Sequence, residues 1–177
     1  EAVRWGGWAG TNPEATKGKG IAGFLGEAGA RGMTIGKAEE KLGQHGSATN
    51  IGHFDECRLP ADALMGSENA GFKVAVSELA GGRIGVAALA HGIGRAATDA
   101  AKAYIKEREQ FGQPIAAMQG PQWMVADTET ELEAARLLIA HAAELKDAGA
   151  PFARAASMAK LYASEAANRA CYTALQL

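Results

Sequence analysis

The spacing of apolar residues changes period part-way along the chain. Up to about residue 70 they come in short runs broken by glycine, with loose alternation through Ala48, Asn50, Gly52 and Phe54. Period-two patterning bounded by turn residues marks strands. It predicts short strands at 20–26, 31–36 and 48–56, with Leu25 and Ile35 facing inward. Asn12-Pro13 and Leu59-Pro60 are turn signals, Lys37-Ala38 and His45-Gly46 sit in connections, and Pro60, Asp62 and Leu64 lead through a turn to Gly66. So few strands do not close a sheet by themselves.

From Phe72 the period becomes three to four. Ala75, Leu79, Gly82, Val86, Leu89, Ile93, Ala97, Ala100 and Tyr104 mark one face of a helix running to about Gln110, close to ~60 Å long if unbroken. Gly81-Gly82 is expected to interrupt it. Each helical glycine costs about 1 kcal/mol relative to alanine, and that cost implies a close approach to the backbone there. A second helix opens with Pro121 in its first turn and carries Val125, Thr128, Leu132, Ala135, Ile139, Ala142 and Leu145. Lys146 lies in its last turn and Gly149 just beyond it. Pro151 opens a third, with Phe152, Ala155, Ala159, Tyr162, Ala166 and Ala170 on one face. Short connections make the helices antiparallel neighbours, and the many alanines let them approach closely. The expectation is an α+β protein, with part of a β domain over residues 1–70 and an antiparallel helical bundle over 71–177.

Composition narrows the classes without choosing one. The chain of 177 residues is 47% hydrophobic and 21% charged, ordinary for a globular protein. A net charge of −2 leaves no electrostatic footprint for nucleic acid or an anionic membrane. No run approaches the roughly 18 apolar residues of a membrane span, and no export signal begins the chain. Cys57 and Cys171 are too isolated for a disulfide framework or a zinc site, so a reducing compartment is the default. The chain begins at Glu1, and Ala174-Leu175-Gln176-Leu177 read as a helix without a stop signal. The expectation is a piece of a longer chain.

The candidate chemistry centres on residues 108–119, between the first two helices. Gly112 and Pro114 break the helix there. Arg108 offers a planar fork for a phosphate, Phe111 an aromatic ring and Gln119 an amide, a set suited to an anionic planar ligand. The same residues also suit a plain helix end, with a cation favoured by the dipole and a ring packed in the corner. Arg83, following two glycines, suits either a cavity or an ion pair with Glu78 or another neighbour. Gly18-Lys19-Gly20-Ile21-Ala22-Gly23 and Gly92-Ile93-Gly94-Arg95-Ala96-Ala97 match dinucleotide patterns by letter only. The first follows a polar loop and enters a strand, and the second lies inside a helix, so both lack the required strand–turn–helix context. His45, His53, His91 and His141 have no ligand partner three or four residues away. Asp127, Glu129, Glu131 and Glu133 read as a solvated acidic face early in a helix.

Several ordered stretches resemble the acyl-CoA dehydrogenases. They are Lys41-Leu42-Gly43-Gln44-His45-Gly46-Ser47 with Phe54-Asp55-Glu56-Cys57-Arg58-Leu59-Pro60, then Gly71-Phe72-Lys73, Gly81-Gly82-Arg83-Ile84-Gly85 and Glu107-Arg108-Glu109-Gln110-Phe111-Gly112-Gln113-Pro114-Ile115. Ala159-Lys160-Leu161-Tyr162-Ala163-Ser164-Glu165 and Gln176 continue the likeness to the last residue. The resemblance implies the second half of a middle β domain followed by a C-terminal four-helix bundle lacking its last helix. It implies flavin-dependent conversion of an acyl-CoA to the trans-2-enoyl-CoA, with electrons passed to an electron-transfer flavoprotein, in a homo-oligomer (dimer or tetramer).

By the same resemblance Arg108, Gln110, Phe111, Gln119 and Gln176 contact FAD, with Arg108 reaching the diphosphate held by a neighbouring subunit. Gly81, Gly82 and Arg83 would lie by the acyl-CoA. No catalytic base falls within the chain, because Gly82 stands where some members carry it and the common alternative Glu lies downstream of Leu177. Ala80 stands where the family often has Asp, and Trp5 and Trp8 do not align to the strand that covers the flavin. An acyl-CoA oxidase, a flavin monooxygenase and a non-catalytic oligomerisation module are the rival readings. The implied location is bacterial cytoplasm or the mitochondrial matrix.

Overall fold

The two textures of the sequence fold as two units, residues 1–76 and 77–177, and the computed structural model describes residues 4–177. In the first unit the expected strands form close to their expected places, as β2 (Ile21–Glu27), β3 (Met33–Ala38) and β4 (Asn50–Phe54). Two more appear, β1 (Arg4–Gly10) and β5 (Leu64–Met65). β1 pairs with β2 and β2 with β5, all antiparallel, while β3 and β4 form a separate hairpin whose register shifts between Ile35 and Ala38. β1 was hidden because glycines occupy the places where alternation would show. Those glycines make room for indoles. Trp5 pairs with Gly26, lies against it, and meets Phe54 at 4.8 Å between ring centroids. The Trp8 Nε1 donates to the Gly71 carbonyl at 3.1 Å.

Two inward assignments are corrected. Leu25 and Ile35 are both exposed. β2 buries Ala22, Gly23 and Gly26 instead, and the Trp5 ring covers Gly26 on the face opposite Leu25. Since the period of a strand is two, that choice turns Leu25 outward. Ile35 lies on the β3–β4 hairpin, which pairs with no third strand among the described residues.

The long helix α1 (Gly71–Glu107) is continuous for 37 residues, about 55 Å. Gly81-Gly82 does not interrupt it. A side chain added at Gly81 would meet the flexible end of Lys146 at 3.4 Å, and one at Gly82 would meet nothing in this chain. The face that α1 buries is not the stripe that the spacing marks. Leu79, Val86, Leu89, Ile93 and Tyr104 are exposed, and α1 buries Ala80, Ala87, Gly94, Thr98, Ala101 and Ile105. Both stripes follow the helical period, in steps of three, four or their sum of seven, so periodicity alone cannot choose between them. Backbone approach chooses. At Gly94 an added Cβ would lie 3.0 Å from Leu132 and 3.1 Å from the Ala167 Cα, so the neighbouring helix seats where only glycine fits.

The hairpin strands β6 (Glu109–Gln110) and β7 (Gln113–Pro114) and a short 3-10 turn (Ile115–Ala117) lead into α2 (Gln119–Asp147). α3 (Ala153–Gln176) follows after Gly149, whose φ of +67° ends α2 as the sequence indicated. Pro121 falls in the first turn of α2 and Lys146 in its last. Thr128, Leu132, Ala135 and Ala142 are buried, as are Ala159, Ala166 and Ala170 on α3. The helices run antiparallel and share an alanine core, in which Leu132 is the one large side chain fully buried. Buried Thr98 and Thr128 donate to the carbonyls of Gly94 and Met124 one turn back.

Candidate functional site

The 108–119 segment is a two-residue hairpin. Glu109 pairs with Pro114 and Gln110 with Gln113, leaving Phe111 and Gly112 as the turn. Their φ angles are +54° and +76°, so both central residues are left-handed, as a type I′ turn demands. Glycine accepts this freely. An aromatic residue does not, and left-handed dihedrals for a bulky side chain cost on the order of 1 kcal/mol or more. Phe111 is also 91% exposed, so its ring gains little from packing among the described residues. An exposed phenyl ring leaves a face open to a flat ligand. The corner-packing alternative for Phe111 does not form.

Arg108 follows the end of α1 and is exposed, its amide donating to the Tyr104 carbonyl at 2.9 Å. The Ile115 amide donates to the Arg108 carbonyl at 2.8 Å and closes the base of the hairpin. Gln110 and Gln119 are exposed around it, and Gln119 opens α2. Gln122, one turn into α2, donates its Nε2 to the Ala116 carbonyl at 2.9 Å. Gln176 ends α3 and is exposed. The antiparallel course of the helices puts the ends of α1 and α3 and the start of α2 at one end of the bundle, where Ala101, Val125, Ala170 and Leu177 line a small common gap. The residues suit a flavin dinucleotide: a guanidinium for its diphosphate, an open phenyl face for a ring, and amides that both donate and accept.

Gly81, Gly82 and Arg83 lie elsewhere. Arg83 sits 25 residues before Arg108, about 37 Å along the helix axis at 1.5 Å per residue. Its Nη1 donates to Ser157 Oγ at 3.3 Å, close to the start of α3, and it pairs with no carboxylate among the described residues. The alternative of an ion pair with Glu78 is therefore not realised.

Of the acidic run early in α2, Asp127 and Glu133 are exposed as expected, while Glu129 and Glu131 are corrected from a solvated face to ion pairs between helices. Glu129 accepts from Arg95 Nη1 at 2.5 Å and from Lys102 Nζ at 2.8 Å, both on α1. Arg95 also pairs with Asp99 at 2.6 Å. Glu131 takes Arg169 of α3 at 3.0 Å, and Glu133 takes Arg136 one turn on. The Arg95 hydrogen bond, reinforced by Lys102, holds the Glu129 carboxyl below its ordinary range. The same guanidinium lowers Asp99, and the two carboxylates raise Arg95 in turn. The spacings of four and three between Arg95, Asp99 and Lys102 signal only the part of the network within α1, and no local signal reaches Glu129.

The apolar cavity of the first unit, about 440 Å³ and lined by Trp5, Trp8, Phe24, Phe54 and Leu59, holds none of the expected site residues. His45 bonds locally to the Lys41 carbonyl at 2.8 Å. The two glycine patterns sit in a loop entering β2 and inside α1. Among the described residues no group of three metal-ligating side chains forms, and no helix is long and apolar enough to cross a membrane.

A family model described as the acyl-CoA dehydrogenase C-terminal domain matches residues 69–177. The chain belongs to the acyl-CoA dehydrogenase family. An acryloyl-CoA reductase (NADH) from Anaerotignum propionicum is 48% identical over 159 residues, covering 90% of this chain and 40% of the relative. The butyryl-CoA dehydrogenase of Megasphaera elsdenii superposes with a TM-score of 0.96 at 41% identity, covering 99% of this chain and 45% of that one. A structure described as an electron transferring flavoprotein of Acidaminococcus fermentans gives 0.96 at 45% identity, covering 99% and 46%. A more distant structure, described as PigA with FAD and proline, gives a TM-score of 0.92 at 26% identity, covering 99% and 45%. The chain thus spans about two fifths to just under half the length of the relatives it matches. The α+β architecture of the family, a partial sheet followed by packed helices, is the architecture seen here.

Proposed function

We propose that this chain is the flavin-holding part of an FAD-dependent acyl-CoA dehydrogenase that acts on short acyl chains. The single observation carrying the cofactor assignment is Phe111, strained at φ +54° and exposed beside Arg108. In this reading Arg108 binds the diphosphate through its two-pronged donor face and Phe111 offers its ring, while Gln110, Gln119 and Gln176 donate and accept around it. FAD, when bound, supplies the two-electron sink for dehydrogenation. Gly81, Gly82 and Arg83 lie by the acyl-CoA, where two glycines admit a thioester close to the backbone. We assign no base within the chain, and the α-proton acceptor is proposed to come from a segment outside residues 1–177.

The separation of about 37 Å between Arg83 and Arg108 supports a division of labour between copies. Residues so far apart on one rigid helix serve different sites, so the hairpin of one subunit completes the flavin site of another in a homodimer or homotetramer. Likeness to butyryl-CoA and acryloyl-CoA enzymes supports a short substrate, and likeness to the flavoprotein structure supports electron transfer to such a partner. The division into residues 1–70 and 71–177, and a cytoplasmic or mitochondrial matrix location, belong to the same proposal.

The test is the visible spectrum of the purified full-length protein before and after adding butyryl-, octanoyl- and palmitoyl-CoA without oxygen. Flavin bands bleached by butyryl-CoA alone support the reading. A colourless protein that takes up no added FAD overturns it in favour of a non-catalytic module. Rapid reoxidation by air after bleaching would move the assignment to an oxidase.

A further inference from the structure

We propose that Gln122 is a positioning residue for the flavin-holding hairpin, an inference that rests on the cofactor reading above. The hairpin has little to hold it in place. Its strands are two residues each, and Arg108, Glu109, Gln110, Phe111, Gly112 and Gln113 are all exposed. Packing therefore does not fix their direction. Its entry is tied to α1 through the Arg108 amide and its base is closed by the Ile115 amide. Its exit is a 3-10 turn capped by no side chain, and Met118 at the N-cap of α2 makes no side-chain cap bond either.

Among the described residues, one side-chain hydrogen bond reaches residues 108–119. It is the 2.9 Å bond from Gln122 Nε2 to the Ala116 carbonyl. That bond ties the exit turn to the first turn of α2, the turn that also carries Gln119. Both ends of the hairpin are then referred to helices that pack on one another, and Arg108, Phe111 and Gln119 keep one relative placement. Without the Gln122 donor the exit turn keeps only its backbone bonds, such as the Met118 amide to the Ile115 carbonyl, and the cofactor must order the rest on binding. Gln122 contacts no ligand in this account. It acts by lowering the ordering cost of residues that do.

The experiment measures FAD dissociation constants and apoprotein melting temperatures for the full-length protein, Gln122→Met, Arg108→Ala and the double variant. Methionine keeps the length and helix preference of glutamine while removing the donor. Gln122→Met is expected to weaken FAD about three- to tenfold, the scale of one net hydrogen bond, with an apoprotein melting temperature unchanged within error. Because Gln122 acts through the placement of Arg108 and its neighbours, the two penalties should not multiply. The double variant should lie closer to Arg108→Ala alone than to the product of the single effects. Unaltered FAD affinity in Gln122→Met overturns the inference, as do fully multiplying penalties or a loss of affinity matched by a lower melting temperature. Unaltered affinity in Arg108→Ala instead overturns the cofactor reading beneath it.

Discussion

Phe111 carries two local penalties at once: a left-handed backbone that aromatic residues avoid, and a ring left in water. The residue that best fits the first position of a type I′ turn before glycine is asparagine. Phe111→Asn should therefore stabilise the apoprotein, by about 1 kcal/mol, while weakening FAD retention. Thermal melting of the apoprotein and flavin fluorescence during dialysis check the two halves. A variant that gains stability and loses no flavin would show the ring to be idle. The candidate residues are legible in the sequence, but their condition is not. Phe111 was legible as a ring near a cation, and its strain required the pairing of Gln110 with Gln113 to be known.

At the scale of elements, the three helices are joined by alanine packing and by charge. An alanine core permits close helix approach but buries little apolar area per residue, so polar contacts between helices carry a larger share of the association. Glu129 is held below its ordinary carboxyl value, near 4.5, by Arg95 and Lys102. A carboxylate depressed in the folded state adds stability above its unfolded value, and that stability is lost as pH falls through the folded value. The helical unit should thus lose stability progressively below about pH 4.5. Glu129→Gln should lower the melting temperature by a few degrees at pH 7 and flatten its decline below pH 4.5. Melting curves at pH 7, 5 and 3.5 test this, and parallel declines in both proteins would remove Glu129 from the account. In the sequence this residue reads as a solvated acid, because its partners lie 27 and 34 residues earlier.

At the scale of the molecule, α1 has an apolar face on each side. One face packs on α2 and α3, and the other leaves Leu79, Val86, Leu89, Ile93 and Tyr104 about half exposed, with Gly82 and Ala100 between them and no charge among these seven. A helix apolar on both sides is a helix meant to be buried, and exposed apolar surface of this extent promotes association. The 1–177 chain purified alone should elute as dimers or larger species. Leu89→Glu with Ile93→Glu should shift it toward monomer without loss of helical circular dichroism. A monomeric parent chain at micromolar concentration, measured by light scattering, would show that this face tolerates water.

Local chemistry was decided by the sequence itself. Period-two and period-four patterning placed β2, β3, β4 and the three helices, Pro121 and Gly149 marked helix ends, and the ordered stretches around Arg83 and Arg108 pointed to the family. These are properties of neighbours along the chain, fixed by backbone dihedrals and side-chain spacing. Tertiary structure alone decided which of two equal stripes on α1 turns inward, because Gly94 matters only once Ala167 lies against it. It decided the parity of β2 through the Trp5 ring over Gly26, and the pairing of Glu129 with Arg95. It also set Arg83 and Arg108 at opposite reaches of one unbroken helix, a separation that follows from Gly81-Gly82 staying helical. Each of these depends on contacts between residues distant in sequence, and a one-dimensional pattern does not contain them.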